Sequence, residues 1–141
     1  MDTVAFTRHA HSVTRILVHL VWTTRGRNHW LEPERDPWLH QLLCDRCALL
    51  DCVVLAVGNA SDHVHMLVRL SPRVSTASLA HGLKGASSVA LSGELGRPFR
   101  WQAGSFAESV REVQALAAYI GGQREHHRDA TFLESWETLR A

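Results

Sequence analysis

The sequence predicts an α+β fold in which helices pack on an antiparallel β-sheet. Three observations indicate it: strand-like and helix-like stretches alternate along the chain, two strand-like stretches are joined by a short turn, and no internal repeat is present. With 141 residues, 45% of them hydrophobic and 21% charged, the chain has enough apolar material for one core. We expect a single domain over residues 1–141.

The first half of the chain contains a strand, a helix and a second strand. RILVHLVWTT, residues 15–24, is rich in β-branched and aromatic residues and predicts a central strand. Residues 36–50 carry leucines at helical spacing, which predicts the first amphipathic helix. CVVLAVG, residues 52–58, predicts the second strand, and NASD follows it with turn residues. The second strand is therefore expected to form a hairpin with the next one.

The third strand carries two histidines one residue apart. Side chains alternate between the two faces of a strand, so His63 and His65 point the same way while Val64, Met66 and Val68 point the other way. One face therefore joins the core, and the other presents two adjacent imidazoles.

The second half of the chain predicts two helices and a strand. Residues 75–91 predict a helix capped by Ser75 or Thr76. Residues 96–106 predict a loop and a short strand, and a third helix is expected from Ser109 or Arg111 towards His127. The order β-α-β-β-α-β-α indicates a ferredoxin-like or RRM-like arrangement.

Charge, cysteines and hydropathy exclude several classes of protein. The formal net charge is only +1, so any binding to a phosphate backbone must be local. We find no run near the roughly 18 apolar residues of a membrane span and no secretory h-region, so we expect a cytoplasmic protein that does not contact a membrane. Cys44, Cys47 and Cys52 are expected to be reduced core or incidental residues, although Cys44–Cys47 also matches the C-x-x-C of redox and zinc sites.

The last predicted helix carries the chain's one tyrosine, Tyr119, followed by Gln123 one turn later. His126 and His127 lie three and four residues beyond Gln123, so a tyrosine, an amide and a histidine fit one stripe. The alternative is a solvated polar stripe. Gly121 and Gly122 interrupt this helix, and each glycine costs about 1 kcal/mol relative to alanine. Either close packing against another backbone or a need for looseness near the tyrosine would explain them.

Four motifs in order resemble one protein family. HLVWTTRGR, AVGNASDHVHMLV, LKGASS and the C-terminal YIGGQREHH with FLESW together cover roughly residues 16–137. This pattern, a His-hydrophobic-His strand followed by a tyrosine helix, resembles the single-tyrosine HUH transposases of bacterial insertion sequences. The tail resembles the REP-associated branch of that family. A phenol with a pKa of about 10 that attacks phosphorus needs a positive charge beside it, which a divalent metal ion supplies.

The resemblance implies a role for each motif residue. Tyr119 would be the nucleophile that forms a 5′-phosphotyrosine, and His63, His65 and Gln123 would surround Mg²⁺ or Mn²⁺. It also implies single-stranded hairpin DNA as the substrate, a homodimer, no nucleotide cofactor, and a tyrosine that serves either its own subunit or the partner. A fourth ligand, from His126 or His127, stays open.

DNA contacts are expected from basic and aromatic side chains near the loops. A base could stack on Trp101 or Trp22, and phosphates could be neutralised by Lys84, Arg69, Arg73, Arg97 and Arg100. Asp62, just before the histidine pair, is expected to orient an imidazole or to cap the turn.

Two rival functions remain. A domesticated or inactive relative would bind hairpin DNA without strand transfer. A nucleotide hydrolase of the histidine-triad type also has alternating histidines on a strand, but it needs a third histidine where this chain has Leu67.

Overall fold

The computed structural model describes residues 6–9, 11–129 and 136–137. Its strands and α-helices follow in the order β1 (Thr7–His9), β2 (Ser12–Thr14), β3 (Leu17–Thr23), α1 (Asp36–Leu49), β4 (Val53–Asn59), β5 (His63–Arg69), α2 (Thr76–Leu95), β6 (Phe106–Ser109), α3 (Val113–Gly121) and α4 (Gln123–Arg128). The expected tail motif FLESW lies outside the described residues except for its last residue, Trp136.

The main sheet has four antiparallel strands in the order β4-β5-β3-β6. Strand β3 lies between β5 and β6, while β4 and β5 form the expected hairpin. This strand order, with one helix after β3 and another after β5, is the ferredoxin-like arrangement, so the predicted α+β fold is confirmed. The small β1–β2 hairpin that precedes it was not predicted.

The two faces of the sheet have different partners. Helices α1 and α2 cover the face that carries Trp22, Val64 and Met66, and these side chains join the larger hydrophobic core. Each fully buried apolar side chain of this size stabilises the fold by about 1.5–3 kcal/mol. Helix α3 covers the other face, where Leu67 packs with Leu116 and Ile120. The alternation along β5 therefore separates the core from the histidine face, as predicted.

The helix boundaries confirm the expected cap of α2 and correct the expected C-terminal helix. The Ser75 hydroxyl accepts a hydrogen bond from the Ser78 N–H at 3.0 Å, so Ser75 is the cap of α2. The single C-terminal helix expected from Ser109 or Arg111 is wrong, because Ser109 ends β6 and α3 begins at Val113. That helix also stops at Gly121, and α4 starts after Gly122.

Two of the three cysteines belong to the core. Cys47 and Cys52 are buried in the larger cluster, and all three thiols are free. Burial raises the pKa of Cys47 to about 12, so its reactive thiolate is scarce at neutral pH. The prediction of core cysteines is confirmed for these two. Among the helices of the described segments, none has the length and apolar character that spanning a bilayer requires.

Candidate active site

The histidine pair lies on the face of β5 that α3 covers. His63 is 2% exposed and His65 is fully buried, and their ring centroids are 5.1 Å apart. Their neighbour Val64 points into the opposite core. The period-two alternation of the strand thus places both imidazoles side by side under the tyrosine helix.

Helix α3 can lie directly on the sheet because β4 carries a glycine. A Cβ atom added at Gly58 would stand 1.8 Å from the carbonyl oxygen of Ile120, which leaves room for hydrogen only. This close approach brings Tyr119 over the histidine face, with its ring centroid 6.1 Å from that of His65. The close-packed glycine is therefore Gly58, whereas a Cβ at Gly121 would meet nothing within 4 Å.

Gln123 reaches the same pocket from the first turn of α4. Its Oε1 lies 3.1 Å from His63 Nε2, and the residue is 1% exposed. Its amide nitrogen is buried without a hydrogen-bond partner among the described residues. A buried N–H donor without a partner costs free energy, and a bound acceptor would satisfy it.

A carboxylate that was not predicted lies at the centre of this pocket. A carboxylate oxygen of Glu137 lies 3.0 Å from His63 Nε2. Carboxylate oxygens of the same residue also lie 3.2 Å from His65 Nε2 and 3.2 Å from His127 Nε2. The Tyr119 hydroxyl donates a hydrogen bond to the same carboxylate. Only the last letters of the tail motif pointed to this segment, and no periodicity marks Glu137.

His63 and His65 have opposite pKa shifts although they lie side by side. Burial alone lowers the pKa of His63, but Asp62 and Glu137 on either side of the ring raise it to about 9. Burial dominates at His65 and lowers its pKa to about 4. Burial opposes ionisation of Glu137, yet hydrogen bonds from His127, His63 and His65 hold its pKa well below the usual range. A cationic His63 and an anionic Glu137 therefore face a neutral His65.

Asp62 orients His63 from behind. Its Oδ1 accepts a hydrogen bond from His63 Nδ1 at 2.7 Å, and its Oδ2 accepts one from Arg27 Nε at 3.0 Å. Burial works against the charge of Asp62, but these two partners keep its pKa well below the usual range. With Nδ1 used in this way, Nε2 of His63 faces the pocket. Of the two roles expected for Asp62, the orienting one fits this geometry.

The comparisons with known proteins place the chain in a family. The family model described as "Transposase IS200 like" matches residues 12–123. This chain belongs to the IS200-like transposases.

Two curated relatives agree with the assignment. The transposases for insertion sequence element IS200 from Salmonella typhimurium and from Salmonella typhi are each 26% identical to this chain over 128 residues, covering 84% of both chains. The family match encloses His63, His65, Tyr119 and Gln123, whereas Glu137 lies beyond it.

Two solved structures share the fold. A crystal structure described as a transposase of Deinococcus radiodurans matches with a TM-score of 0.68 and 24% identity, over 84% of this chain and 98% of that chain. A REP-associated tyrosine transposase bound to a REP hairpin matches with a TM-score of 0.62 and 13% identity, over 86% of this chain and 73% of that chain.

The donor atoms of this IS200-like transposase fit a divalent metal ion. One ligand atom each from His63, His127 and Glu137 lies within 4.8 Å of the others. The Gln123 oxygen and His65 Nε2 border the same space. Imidazole nitrogen, amide oxygen and carboxylate oxygen together suit Mn²⁺ and similar ions, and the carboxylate also suits Mg²⁺. The ligand set that the resemblance implied, His63, His65 and Gln123, contains no carboxylate, and Glu137 offers one.

Three of the expected DNA-binding residues of the transposase line one groove of about 890 Å³ beside α2. Lys84 donates to the carbonyl oxygens of Gln102 and Gly104 at 2.8 and 2.7 Å, and Arg100 is exposed nearby. Trp101 does not offer its ring to a base, because it is only 9% exposed and its Nε1 donates to Ser87. Stacking on Trp101 is therefore the wrong expectation, and the same holds for the fully buried Trp22.

Of the remaining expected DNA contacts, Arg97 follows α2 with its guanidinium carbon 4.9 Å from the ring centroid of Trp30, while Arg69 and Arg73 lie at the opposite end of β5 from His63. Arg69 ends the strand, and Arg73 follows in the loop with its guanidinium 3.9 Å from Asp51. Six residues of extended strand span about 20 Å, so these arginines do not border the histidine pocket. A DNA strand would have to run along the whole sheet to contact both groups.

Proposed function

We propose that this IS200-like transposase cleaves and rejoins single-stranded DNA through a covalent 5′-phosphotyrosine on Tyr119. The observation that supports the proposal is the convergence of Tyr119, His63, His65 and Gln123 from one chain on a buried pocket. We define the ion site as His63 Nε2, His65 Nε2 and Gln123 Oε1, with Mg²⁺ or Mn²⁺ as its ligand.

The reaction begins with the phenol of Tyr119. Its oxygen forms a bond to the scissile phosphorus while the bond from phosphorus to the 3′-oxygen breaks. The phenol gives up its proton and the leaving 3′-oxygen takes one up, so the step involves no oxidation and no net hydrolysis. A 3′-hydroxyl from another strand later attacks the phosphotyrosine and releases Tyr119.

The pocket residues prepare this step. When bound, the ion acts as a Lewis acid that offsets negative charge on the phosphoryl oxygens. His65 presents a neutral Nε2 towards it, His63 would give up its Nε2 proton when the ion binds, and Gln123 offers its oxygen. Asp62 and Arg27 hold the His63 ring, so Nε2 stays directed at the pocket.

We propose hairpin-forming single-stranded DNA as the substrate and a homodimer as the assembly. A hairpin is bound in the solved structure of the REP-associated relative, and the groove with Lys84 and Arg100 gives this chain a basic surface for phosphates. No nucleotide cofactor is needed, because the phosphotyrosine conserves the energy of the phosphodiester.

One observation favours the alternative of a hairpin-binding relative without strand transfer. The Glu137 carboxylate contacts His63, His65 and Tyr119 together, so an anion of the protein lies between the ion site and the nucleophile, where the scissile phosphate would have to bind. In that alternative Tyr119 never reaches DNA.

Denaturing gels of labelled hairpin DNA separate the two functions. With Mn²⁺ present, we expect wild-type protein to give a slow-migrating adduct that protease treatment removes. The Tyr119→Phe variant should bind the hairpin and give no adduct. Equal binding by both proteins with no adduct from either would leave only the alternative.

A further inference from the structure

The ring of His65 contacts another buried histidine, His19, on the side away from the pocket. His19, on β3, is fully buried, and its Nε2 lies 2.8 Å from His65 Nδ1. The ring planes are only 18° apart with centroids 5.1 Å apart, which is the geometry of two imidazoles joined edge to edge through their nitrogens. On the far side of the His19 ring, Nδ1 lies 3.2 Å from Glu108 Oε1.

Strand register puts these three residues in line across the sheet. His19 is paired with Glu108 on β6 and with Leu67 on β5. His65 lies two residues before Leu67 on the same face, so it is the diagonal neighbour of His19. The row Glu108–His19–His65 therefore follows from the pairing of three strands and ends at the pocket.

When Nε2 of His65 holds the ion instead of a proton, the direction of these hydrogen bonds is fixed. A neutral imidazole that binds an ion through Nε2 carries its proton on Nδ1. That N–H of His65 is buried and needs an acceptor, and His19 Nε2 is at the right distance. His19 then carries its own proton on Nδ1, which donates to the carboxylate of Glu108. The side chain of Glu108 is 37% exposed, so the row ends at water.

We propose that His19 and Glu108 are positioning residues that hold His65 with Nε2 directed at the ion. The inference rests on the proposed function, since it concerns the ion site defined there. The Asp62 carboxylate contacts the His63 ring directly, whereas the Glu108 carboxylate acts on His65 through the His19 ring between them. Partners of this kind behind a metal ligand typically change metal affinity about 10- to 100-fold when removed.

Titration of Mn²⁺, followed by the electron paramagnetic resonance signal of the free ion, tests the role of His19. His19→Phe keeps a planar ring but has no acceptor, so we expect Mn²⁺ binding weaker by about tenfold or more. His19→Gln keeps a carbonyl acceptor and should recover most of the affinity. Glu137 is retained in every variant, because its carboxylate contacts the same nitrogen of His65.

A pair of substitutions at Glu108 provides a second test on a more exposed side chain. Glu108→Leu removes the final acceptor and should also weaken Mn²⁺ binding, whereas Glu108→Gln keeps a carbonyl acceptor and should bind nearly as wild type does. Thermal unfolding identifies any variant that fails to fold, and the Glu108 pair decides the matter if His19→Phe does not fold.

Nitrogen NMR gives a readout that a merely structural role would not change. In protein with ¹⁵N-labelled histidine and saturated with diamagnetic Zn²⁺, we expect a scalar coupling across the N–H···N bond between His65 and His19. The coupling should be absent in His19→Phe and remain in Glu108→Gln.

The possible failures are distinguishable. The positioning role would be overturned if folded His19→Phe and Glu108→Leu proteins bound Mn²⁺ as tightly as wild type. It would also be overturned if wild type showed no scalar coupling between His65 and His19. In either case wild type would still form the DNA adduct, so the proposed function would stand. A wild-type protein that binds no Mn²⁺ and forms no DNA adduct would overturn the proposed function, and the positioning role with it.

Discussion

His63 is held on both sides of its ring. Asp62 accepts from Nδ1 at 2.7 Å, and Nε2 faces Glu137 at 3.0 Å and Gln123 at 3.1 Å. Two carboxylates around a buried imidazole stabilise its protonated form, while the neighbouring His65 stays neutral. Without metal, the ion pair between His63 and its two carboxylates therefore contributes to the stability of the fold in a way that depends on pH.

The free energy of unfolding should change with pH in a direction that these pKa shifts determine. The folded pKa of His63 is raised to about 9, so its contribution is complete below the unfolded pKa of about 6.5 and is lost as the pH rises through 9. His65, with a folded pKa of about 4, loses stability as the pH falls from about 6.5 to 4. Urea unfolding in EDTA should show a maximum near pH 6.5 and a loss of at most about 3 kcal/mol towards pH 9.

Glu137→Gln tests the source of that loss. It removes one of the two carboxylates beside His63, so the decline above pH 6.5 should become shallower. Glu94→Gln, at an exposed position of α2, is the matched control and should leave the decline unchanged. Identical slopes for wild type and Glu137→Gln would show that Glu137 does not charge His63.

The sequence predicted some residues of the pocket better than others. His63 and His65 were predictable because alternation along one strand is a local property. Glu137 and His19 were not, because their partners lie 72 and 46 residues away in the chain. Contacts between segments that far apart leave no periodicity, and only the packed fold brings them together.

At the level of secondary structure, the approach of α3 to β4 sets the position of Tyr119. Gly58→Ala places a methyl group against the Ile120 carbonyl, so helix and strand must separate. We expect a loss of about 1–3 kcal/mol in urea unfolding together with weaker adduct formation.

Gly85→Ala is the control for Gly58→Ala. A Cβ at Gly85 meets nothing within 4 Å on an exposed turn of α2, so this substitution should raise stability by up to about 1 kcal/mol. A Gly58→Ala protein as stable and as active as wild type would mean that the close approach is not required.

Gly121 lies at the break between α3 and α4, and its substitution gives a separate prediction. Gly121 has open space around its Cβ position, so Gly121→Ala should stabilise the protein by about 0.5–1 kcal/mol. If looseness at this step serves strand exchange, the same variant should form the first adduct normally and rejoin strands more slowly. The measurement is a single-turnover assay of both steps. Unchanged rejoining would remove the functional explanation for this glycine.

The boundaries of the helices were the weakest part of the prediction from sequence. A continuous polar stripe from Tyr119 to His127 suggested one helix. Glycines such as Gly121 and Gly122 are tolerated inside helices, so their presence alone does not predict that a helix ends there. The sheet was clearer, since its central strand and the hairpin of β4 and β5 are rich in β-branched residues bounded by turn residues. The short β1–β2 hairpin has three-residue strands and little hydrophobic signal.

For the molecule as a whole, one chain brings together every residue of the proposed site. Helix α4 is fixed to its own chain because Arg124 contacts both oxygens of Asp36 at 2.6 and 2.8 Å and the Leu31 carbonyl at 2.6 Å. Such a bidentate pair is among the stronger polar contacts in proteins. Gln123, its neighbour, is thereby held beside the histidine pair of the same subunit.

Mixing experiments test whether the site is complete within one subunit. Co-expressed Tyr119→Phe and His63→Ala proteins, carrying different tags, should form no DNA adduct, because neither subunit contains a whole site. Wild type co-expressed with Tyr119→Phe should give an adduct on the wild-type subunit only. An adduct on the His63→Ala subunit of the first mixture would mean that the tyrosine serves its partner.

Peptide mapping of the covalent adduct tests the central claim most directly. Wild-type protein is incubated with hairpin DNA and Mn²⁺ and digested, and the linked peptide is sequenced by mass spectrometry. We expect one modified residue, Tyr119, joined to a 5′-phosphate, with a free 3′-hydroxyl on the other DNA fragment. A link to another residue, a link to a 3′-phosphate, or cleaved DNA without any protein attached would contradict the mechanism.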